Sequence, residues 1–506
     1  MFDNILMALG VVFTIRNILV CLIGVITGII VGALPGFTAA MGIAVLIPLT
    51  FGLDPNIGLV FLASLYIGAV YGGSISAILI NTPGTDSAAA TAIDGYEMTK
   101  KGRGREALTE SAIASGWGGI MSNFALLLIA PPLARFALRF GPPEYFLLAV
   151  FGLTIIITFS AESIESLIKG LIVGIIGLLI GTIGFDPLFG IPRFTLKQVE
   201  LLRGVSLIPA LIGLFSLSQM FILSSQKKQS IVTDELKNIG KYRVRINDFF
   251  KYFKTYIRGG ILGTMIGIIP GAGTSIAAFI GYNEARRFSK HPDEFGKGCR
   301  EGVAGPESAN NAVVGGSLIP TLTLGIPGNS VTAVLLGGLI IMGLRPGHEL
   351  FTLNAHIIYP FIITLFMANI FMILIGIFGV PYLSNFVKLP VSFIIPFVIV
   401  LSVLGSYAIN NSIFDVYLVL FFGLAGYFLR INGFSTIPIV LGIILGPIAE
   451  RGLIQTTGLA RSADTNIITF FITRPICIIL IILIIISLLT PIIKYNLFSY
   501  RAKIPK

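Results

Sequence analysis

The sequence predicts an all-α polytopic integral membrane protein: roughly twelve transmembrane helices in two internal repeats, with Pro-Gly-broken helices or re-entrant hairpins. Hydrophobic residues make up 55% of the chain and charged residues 12%, more apolar surface than a soluble core of 506 residues can hide. Span-length apolar runs recur from end to end, among them 205–223, 357–380 and 467–489. An unusual punctuation also falls twice inside apolar sequence. Gly32-Ala-Leu-Pro35-Gly36, Gly72-Gly73-Ser74 and Pro83-Gly84-Thr85-Asp86-Ser87 occupy the first half. Gly267-Ile-Ile-Pro270-Gly271, Gly315-Gly316-Ser317 and Pro327-Gly328-Asn329-Ser330 occupy the second.

The first membrane repeat, with the helices that follow it, covers 1–223. Its start carries only Asp3 and Arg16 ahead of a glycine-rich apolar segment, which predicts that no leader is cleaved. A basic loop at Lys100, Lys101, Arg103 and Arg105 precedes four apolar segments near 112–134, 145–161, 167–184 and 205–223. A basic cytoplasmic linker then spans 224–256, with Lys227, Lys228, Lys237, Lys241, Arg243, Arg245, Lys251 and Lys254. An even number of crossings between two basic loops returns the chain to one side, as the enrichment of cations on cytoplasmic connections requires.

The second repeat and its following helices cover 257–506. Segment 257–280 is broken at Pro270-Gly271, and 312–344 is broken at Pro327-Gly328. Segments at 355–380, 391–406, 412–430, 434–449 and 467–489 lead to a basic tail with Lys494, Arg501, Lys503 and Lys506. A cytoplasmic tail needs an odd number of crossings from the two broken elements, so one traverses and the other doubles back. Glu110 and Glu307 each open a Glu-Ser-Ala triplet, and Glu307 after Pro306 reads as a first-turn acid.

The net charge of +11 sits in these short connections, which points to the cytoplasmic face of a bilayer and not to nucleic acid. Cys21, Cys299 and Cys477 lack metal or disulfide spacing, and His291, His348 and His356 form no ligand motif. No metal or cofactor is expected beyond a coupling Na⁺ or H⁺. No Gly-Lys-Ser/Thr follows the glycine-rich 267–273, and no Gly-x-Ser-x-Gly or His-Glu-x-x-His occurs, so an enzyme is not expected.

Each Pro-Gly break ends one helix and starts another, freeing carbonyls at the old end and N–H groups at the new one. Paired breaks in related halves of a membrane chain mark a transporter's substrate site. The N-terminal ends suit a carboxylate and the carbonyl ends a small cation. Thr85 and Ser87 after Pro83-Gly84, and Asn329 and Ser330 after Pro327-Gly328, are residue types that cap a restarting helix. The predicted substrate-binding set is Pro35, Gly36, Asn81, Thr82, Pro83, Gly84, Thr85, Ser87, Pro270, Gly271, Gly273, Thr274, Asn310, Asn311, Pro327, Gly328, Asn329 and Ser330. Asp86 is the candidate ion-coupling carboxylate.

These residues carry a family resemblance. Gly32-Ala-Leu-Pro35-Gly36, Tyr71-Gly-Gly-Ser-Ile-Ser-Ala-Ile-Leu-Ile-Asn-Thr-Pro83-Gly-Thr and Asp94-Gly-Tyr96 with the Lys100-Lys101-Gly loop resemble the large, TctA-type permease subunit of the tripartite tricarboxylate transporter family. So do Pro270-Gly-Ala-Gly273, Glu301-Gly-Val-Ala304, Glu307-Ser-Ala-Asn-Asn311 and Thr321-Leu-Thr-Leu-Gly-Ile-Pro327-Gly328. The resemblance spans nearly the whole chain. It implies a secondary carrier of the bacterial inner membrane, partnered by a small membrane subunit and a periplasmic solute-binding protein. Its substrates would be citrate and other di- or tricarboxylates, or in some members aromatic acids, driven by a Na⁺ or H⁺ gradient. Asp86 departs from the family pattern, where a non-acidic residue is usual, which implies a local effect and not a family-wide role.

The resulting expectation is uptake of an organic anion by alternating access, one repeat-derived bundle moving against the other around the breaks. A passive anion channel and a non-transporting structural membrane subunit are the alternatives.

Overall fold

A computed structural model describes residues 2–161, 163–186, 190–225, 240–379 and 390–501. Part of the basic linker, with Lys227, Lys228 and Lys237, lies outside the described residues, as do Lys503 and Lys506 of the tail. Ten helices among the described residues are long and apolar enough to cross a bilayer, and four shorter apolar helices accompany them. The chain is an all-α, multi-pass membrane protein, as its composition predicts.

In chain order the first helices are α1 (Phe2–Val12), α2 (Ile15–Ala33), α3 (Ala39–Leu46), α4 (Pro55–Ile80), α5 (Ala88–Lys100) and α6 (Gly104–Phe136). Then come α7 (Pro142–Ser160), α8 (Ile164–Gly181), α9 (Leu207–Leu211) and, after a π-helical stretch, α10 (Ser218–Ser225). The second half holds α11 (Phe253–Ile268), α12 (Gly273–Phe288), α13 (Glu301–Leu324), α14 (Ser330–Ile341), α15 (His348–Thr352) and α16 (Ala355–Phe378). It closes with α17 (Val391–Asn410), α18 (Ile413–Ile431), α19 (Ile437–Ser462), α20 (Ile467–Ile472) and α21 (Pro475–Arg501). The expected span at 467–489 is thus two helices. Pro475 has no N–H to extend α20 and starts α21 instead.

The helices form two units. One comprises Met1–Ala134 and Gln219–Ile409; the other comprises Arg135–Ser218 and Asn410–Lys506. Each draws on both halves of the sequence.

In the first unit, α2 lies on α4 and α11 lies on α13, both through glycines four residues apart. A Cβ on Gly24, Gly28 or Gly32 would stand 2.8, 2.3 or 2.1 Å from Ser64, Leu65 or Ala69. A Cβ on Gly259, Gly263 or Gly267 would stand 2.0, 2.0 or 2.9 Å from Ser308, Ala309 or Val313. The two contacts match position for position. Only backbones without side chains between them approach so closely, a recurrent solution in membranes, where apolar burial alone does not drive helices together.

The helices beyond the breaks cross over. α14 packs on α3, and α5 packs on α12 and α13.

In the second unit, α7 and α8 pack against α19, and α7 also packs against α21, while α18 packs on the π-helical stretch 212–217. Arg474 donates to the Glu144 carboxylate at 3.0 Å, and Cys477 Sγ lies 3.3 Å from it. A two-stranded hairpin pairs Gly184–Phe185 with Pro192–Arg193. The exposed apolar faces of α8 (Ile168, Ile172, Ile175, Leu179) and α18 (Tyr417, Phe421, Leu424, Phe428) suit contact with lipid.

Candidate functional site

All four interruptions belong to the first unit. The break between α2 and α3 holds buried Pro35 and half-buried Gly36, whose φ of +77° is open to glycine at little cost. Thr38 then caps α3, accepting from the Met41 N–H. Its counterpart between α11 and α12 holds buried Pro270 and half-buried Gly271, with φ +82°, followed by Gly273, with φ +73°. Thr274 is half-buried at the start of α12.

The second break of each half folds back against the first. Gly84 donates its N–H to the Gly73 carbonyl at 3.2 Å, and a Cβ on Gly84 would stand 2.1 Å from the Gly32 carbonyl oxygen. In the other half, Gly271 donates to the Gly328 carbonyl at 2.9 Å. A Cβ on Gly328 would stand 2.8 Å from the Ser317 Cα and 3.0 Å from the Gly267 oxygen. Gly32 and Gly267 open the two Gly-x-x-Pro-Gly motifs. The structure therefore joins the Pro-Gly pairs within each half. Its register pairs Gly73 with Ser317, each eleven residues before its Pro-Gly glycine, so the Gly-Gly-Ser triplets are offset by one residue.

A contact also runs between the halves. Asn329 Nδ2 donates to the Tyr66 hydroxyl of α4 at 3.0 Å and to Ser317 Oγ at 3.3 Å. Asn329 Oδ1 accepts from the Thr332 N–H at 2.9 Å, which caps α14 as expected from its residue type, and Ser330 is its first helical residue. At the first-half break the cap differs. Ser87 is buried at the N-cap of α5 without capping it, its hydroxyl lying 3.2 Å from Thr85 Oγ1.

Asn81 ends α4 in the left-handed region (φ 51°) and is exposed, as are Thr82 and Asp86; Pro83 is half-buried. Among the described residues, no hydrogen bond or ion pair joins these exposed side chains to the second-half interruptions. Asn310 and Asn311 are fully buried on α13, and both ends of each amide lack a hydrogen-bond partner among the described residues. A buried amide without partners is costly, so the two side chains are available to a polar guest.

Residues 18–441 match the tripartite tricarboxylate transporter TctA family. The chain belongs to that family. One relative, an uncharacterized 52.8 kDa protein in the TAR-I ttuC′ 3′ region of Agrobacterium vitis, is 38% identical over 478 residues, 94% of this chain and 93% of the relative. Another, an uncharacterized protein in the TAR-II ttuC′ 3′ region of the same organism, is 36% identical over 217 residues, 42% of this chain and 87% of its own length. No solved structure matches this TctA-family chain.

Several buried polar residues of the TctA-family chain escaped the sequence reading. Asp94, fully buried on α5, accepts from the N–H groups of Gly296, Gly298 and Cys299 at 3.0, 2.8 and 2.7 Å and from the Tyr282 hydroxyl at 2.9 Å. It thereby pins the loop that leads into α13. Arg300, at the head of α13, pairs with Glu110 of α6 and with Asp248, 3.1 Å away, and stacks on Tyr242. Burial alone would push the Asp248 carboxyl up. The Arg245 N–H, the Tyr242 hydroxyl and Arg300 outweigh it and hold the group below the ordinary carboxylate range. Glu307 is fully buried in the second turn of α13 and is not a first-turn acid, because α13 begins at Glu301 and Pro306 lies inside it. The sequence signal was present: acids and amides amid small apolar residues are costly at membrane depth unless partnered.

Proposed function

We propose that this chain is the large membrane subunit of a binding-protein-dependent carrier for organic anions, di- or tricarboxylates such as citrate. It works in the bacterial inner membrane with basic loops and C-terminus cytoplasmic. A periplasmic solute-binding protein delivers the anion, a small membrane subunit completes the transporter, and a Na⁺ or H⁺ gradient drives uptake. The family supplies the tripartite assembly.

The observation that carries this reading is the meeting of the two interruptions within each half, Gly84 on Gly32 and Gly73, and Gly271 on Gly328. Matched breaks of this kind reflect two copies of one ancestral repeat. They leave helix ends beside Thr85, Ser87, Thr274, Asn329 and Ser330, while the unpartnered Asn310 and Asn311 lie within α13. Helix N-termini and neutral donors can hold a carboxylate without a buried lysine or arginine. Alternating exposure of these ends to the two faces of the membrane moves the anion.

The test is reconstitution of the chain with a small membrane subunit and a periplasmic binding protein sought among the genes beside it. Labelled citrate should accumulate above its external concentration only while an ion gradient is imposed, and saturably. Flux that merely equilibrates, or that proceeds without any binding protein, would replace this reading with a channel.

A further inference from the structure

Glu307 is fully buried where four helices meet. Ser74 of α4 and Thr91 of α5 donate their hydroxyls to Oε1, each at 2.5 Å, and Ser115 of α6 donates to Oε2 at 2.7 Å. Ser111, one turn earlier on α6, faces the same carboxyl, and its buried hydroxyl has no other partner among the described residues. Asn310 and Asn311, three and four residues beyond Glu307 on α13, extend this polar face with unpartnered amides.

Charged and titratable neighbours are engaged elsewhere. Asp94 of α5 is held by Tyr282 of α12 and the 296–299 N–H groups, and Glu110 of α6 is bound to Arg300 and to Tyr256 of α11. Tyr71 of α4 lies beside Glu307, directing its hydroxyl to the Leu108 carbonyl. Among the described residues no lysine, arginine or histidine pairs with Glu307. Ionised, the carboxylate would stand as an uncompensated buried charge.

A ring of hydroxyls, unlike a ring of cations, serves both charge states. Each hydroxyl can donate to a carboxylate or accept from a carboxylic acid. The ring oxygens already stand at hydrogen-bond distance, so a proton enters without moving a heavy atom. The ring also touches the interruption. Ser74 follows Gly73, whose carbonyl receives the Gly84 N–H, and Thr85 packs over Gly73. A change in the Ser74 hydrogen bond is therefore one peptide unit from the 83–84 break.

We propose that Glu307 is the proton-binding carboxyl of the transport cycle. It takes a proton from water on one side of the membrane as the anion loads, and releases it to water on the other. No covalent bond of the anion changes. Exposed Asp86 has no comparable enclosure. This inference rests on the carrier reading, but its central measurement does not.

The full chain in lipid nanodiscs is followed by infrared difference spectroscopy as pH is varied. The expected result is a protonated-carboxyl carbonyl band that titrates, is absent in Glu307→Gln, and persists with a displaced midpoint in Ser115→Ala. An identical titrating band in Glu307→Gln overturns the proposal, as does the absence of any titrating band in wild type. Should Glu307→Gln fail to fold, an unmoved midpoint in Ser115→Ala overturns it as well. In reconstituted transport, Glu307→Gln should lose at least ten-fold of pH-gradient-driven accumulation while keeping substrate counterflow. Wild-type uptake driven equally well by a Na⁺ gradient at fixed pH would refute proton coupling. If wild type transports nothing while the band behaves as expected, the carrier reading fails and the proton site stands.

Discussion

The interruptions at 81–87 and 325–329 carry the same Pro-Gly pair in the same register, yet the protein finishes them in different ways. The first ends α4 on a left-handed Asn81, leaves Asn81, Thr82 and Asp86 exposed, and closes on its own helix through Gly84 and Gly73. The second ends α13 on a left-handed Gly325 and restarts α14 on Asn329, which reaches Ser317, Thr332 and Tyr66. Its Gly328 carbonyl is also taken by Gly271. A common backbone device is thus anchored by backbone and close packing in one half and by a side-chain network in the other. Sequence symmetry fixes where a helix stops; the residues at the stop decide what the opening rests on.

The largest effects should come from crowding the two glycines that make the breaks possible. An added methyl at Gly84 meets the Gly32 carbonyl oxygen at 2.1 Å, backbone that cannot rotate away. At Gly328 the nearest atom is the Ser317 Cβ at 2.6 Å. Gly84→Ala should therefore exceed the usual overpacking cost of about 1–3 kcal/mol and yield little folded protein, while Gly328→Ala should fall within that range. Thermal unfolding midpoints in detergent compare the two directly. The opposite order would mean that the second interruption, not the first, is the tighter junction.

Next in size is the difference between the two asparagines. Asn329→Ala removes a cap and leaves Tyr66 and Ser317 short of a donor, at a cost of about 1–2 kcal/mol. Asn81→Gly keeps the left-handed turn and should change stability by less than about 0.5 kcal/mol. Equal losses would show that the exposed interruption has partners of its own.

Much of this architecture was legible in the sequence because its signals are local. Pro-Gly marks a stop wherever it falls, and Asn329 is a capping residue whatever surrounds it. The spacing of Gly24, Gly28 and Gly32, repeated at Gly259, Gly263 and Gly267, was also open to inspection as a close-packing stripe. What stayed hidden is what distant segments build together. Asp94 meets N–H groups some two hundred residues away, and the Glu307 ring draws one hydroxyl each from α4 and α5 and two from α6. Neither meeting of distant side chains has a periodicity that marks it, and an acid beside Pro306 carries the local pattern of a helix start. Ser87 marks the converse limit: it is a capping residue type at an N-cap position, but Thr85 takes its hydroxyl.

The smallest effect tests whether the second interruption depends on the far end of its own helix. Arg300 heads α13 and is held by Glu110 within the helices and by Asp248 on the segment before α11. Asp248 is held below the ordinary carboxylate range, so its contribution is fully present above the free-chain value of 3.8 and is lost as pH falls through its lower folded value. Trp117, the single tryptophan, reports on this segment because its indole donates to the Phe249 carbonyl at 2.9 Å. Acidification below about pH 4 should shift Trp117 emission toward that of a solvated indole. Asp248→Asn should show the shifted emission already at neutral pH. The unfolding midpoint of Asn329→Ala relative to its parent should be the same in both backgrounds, because Glu110 still holds Arg300. A midpoint difference that grows when Asp248 is replaced would mean that the two ends of α13 are coupled, and that the second interruption is set from the loop as well as from Tyr66.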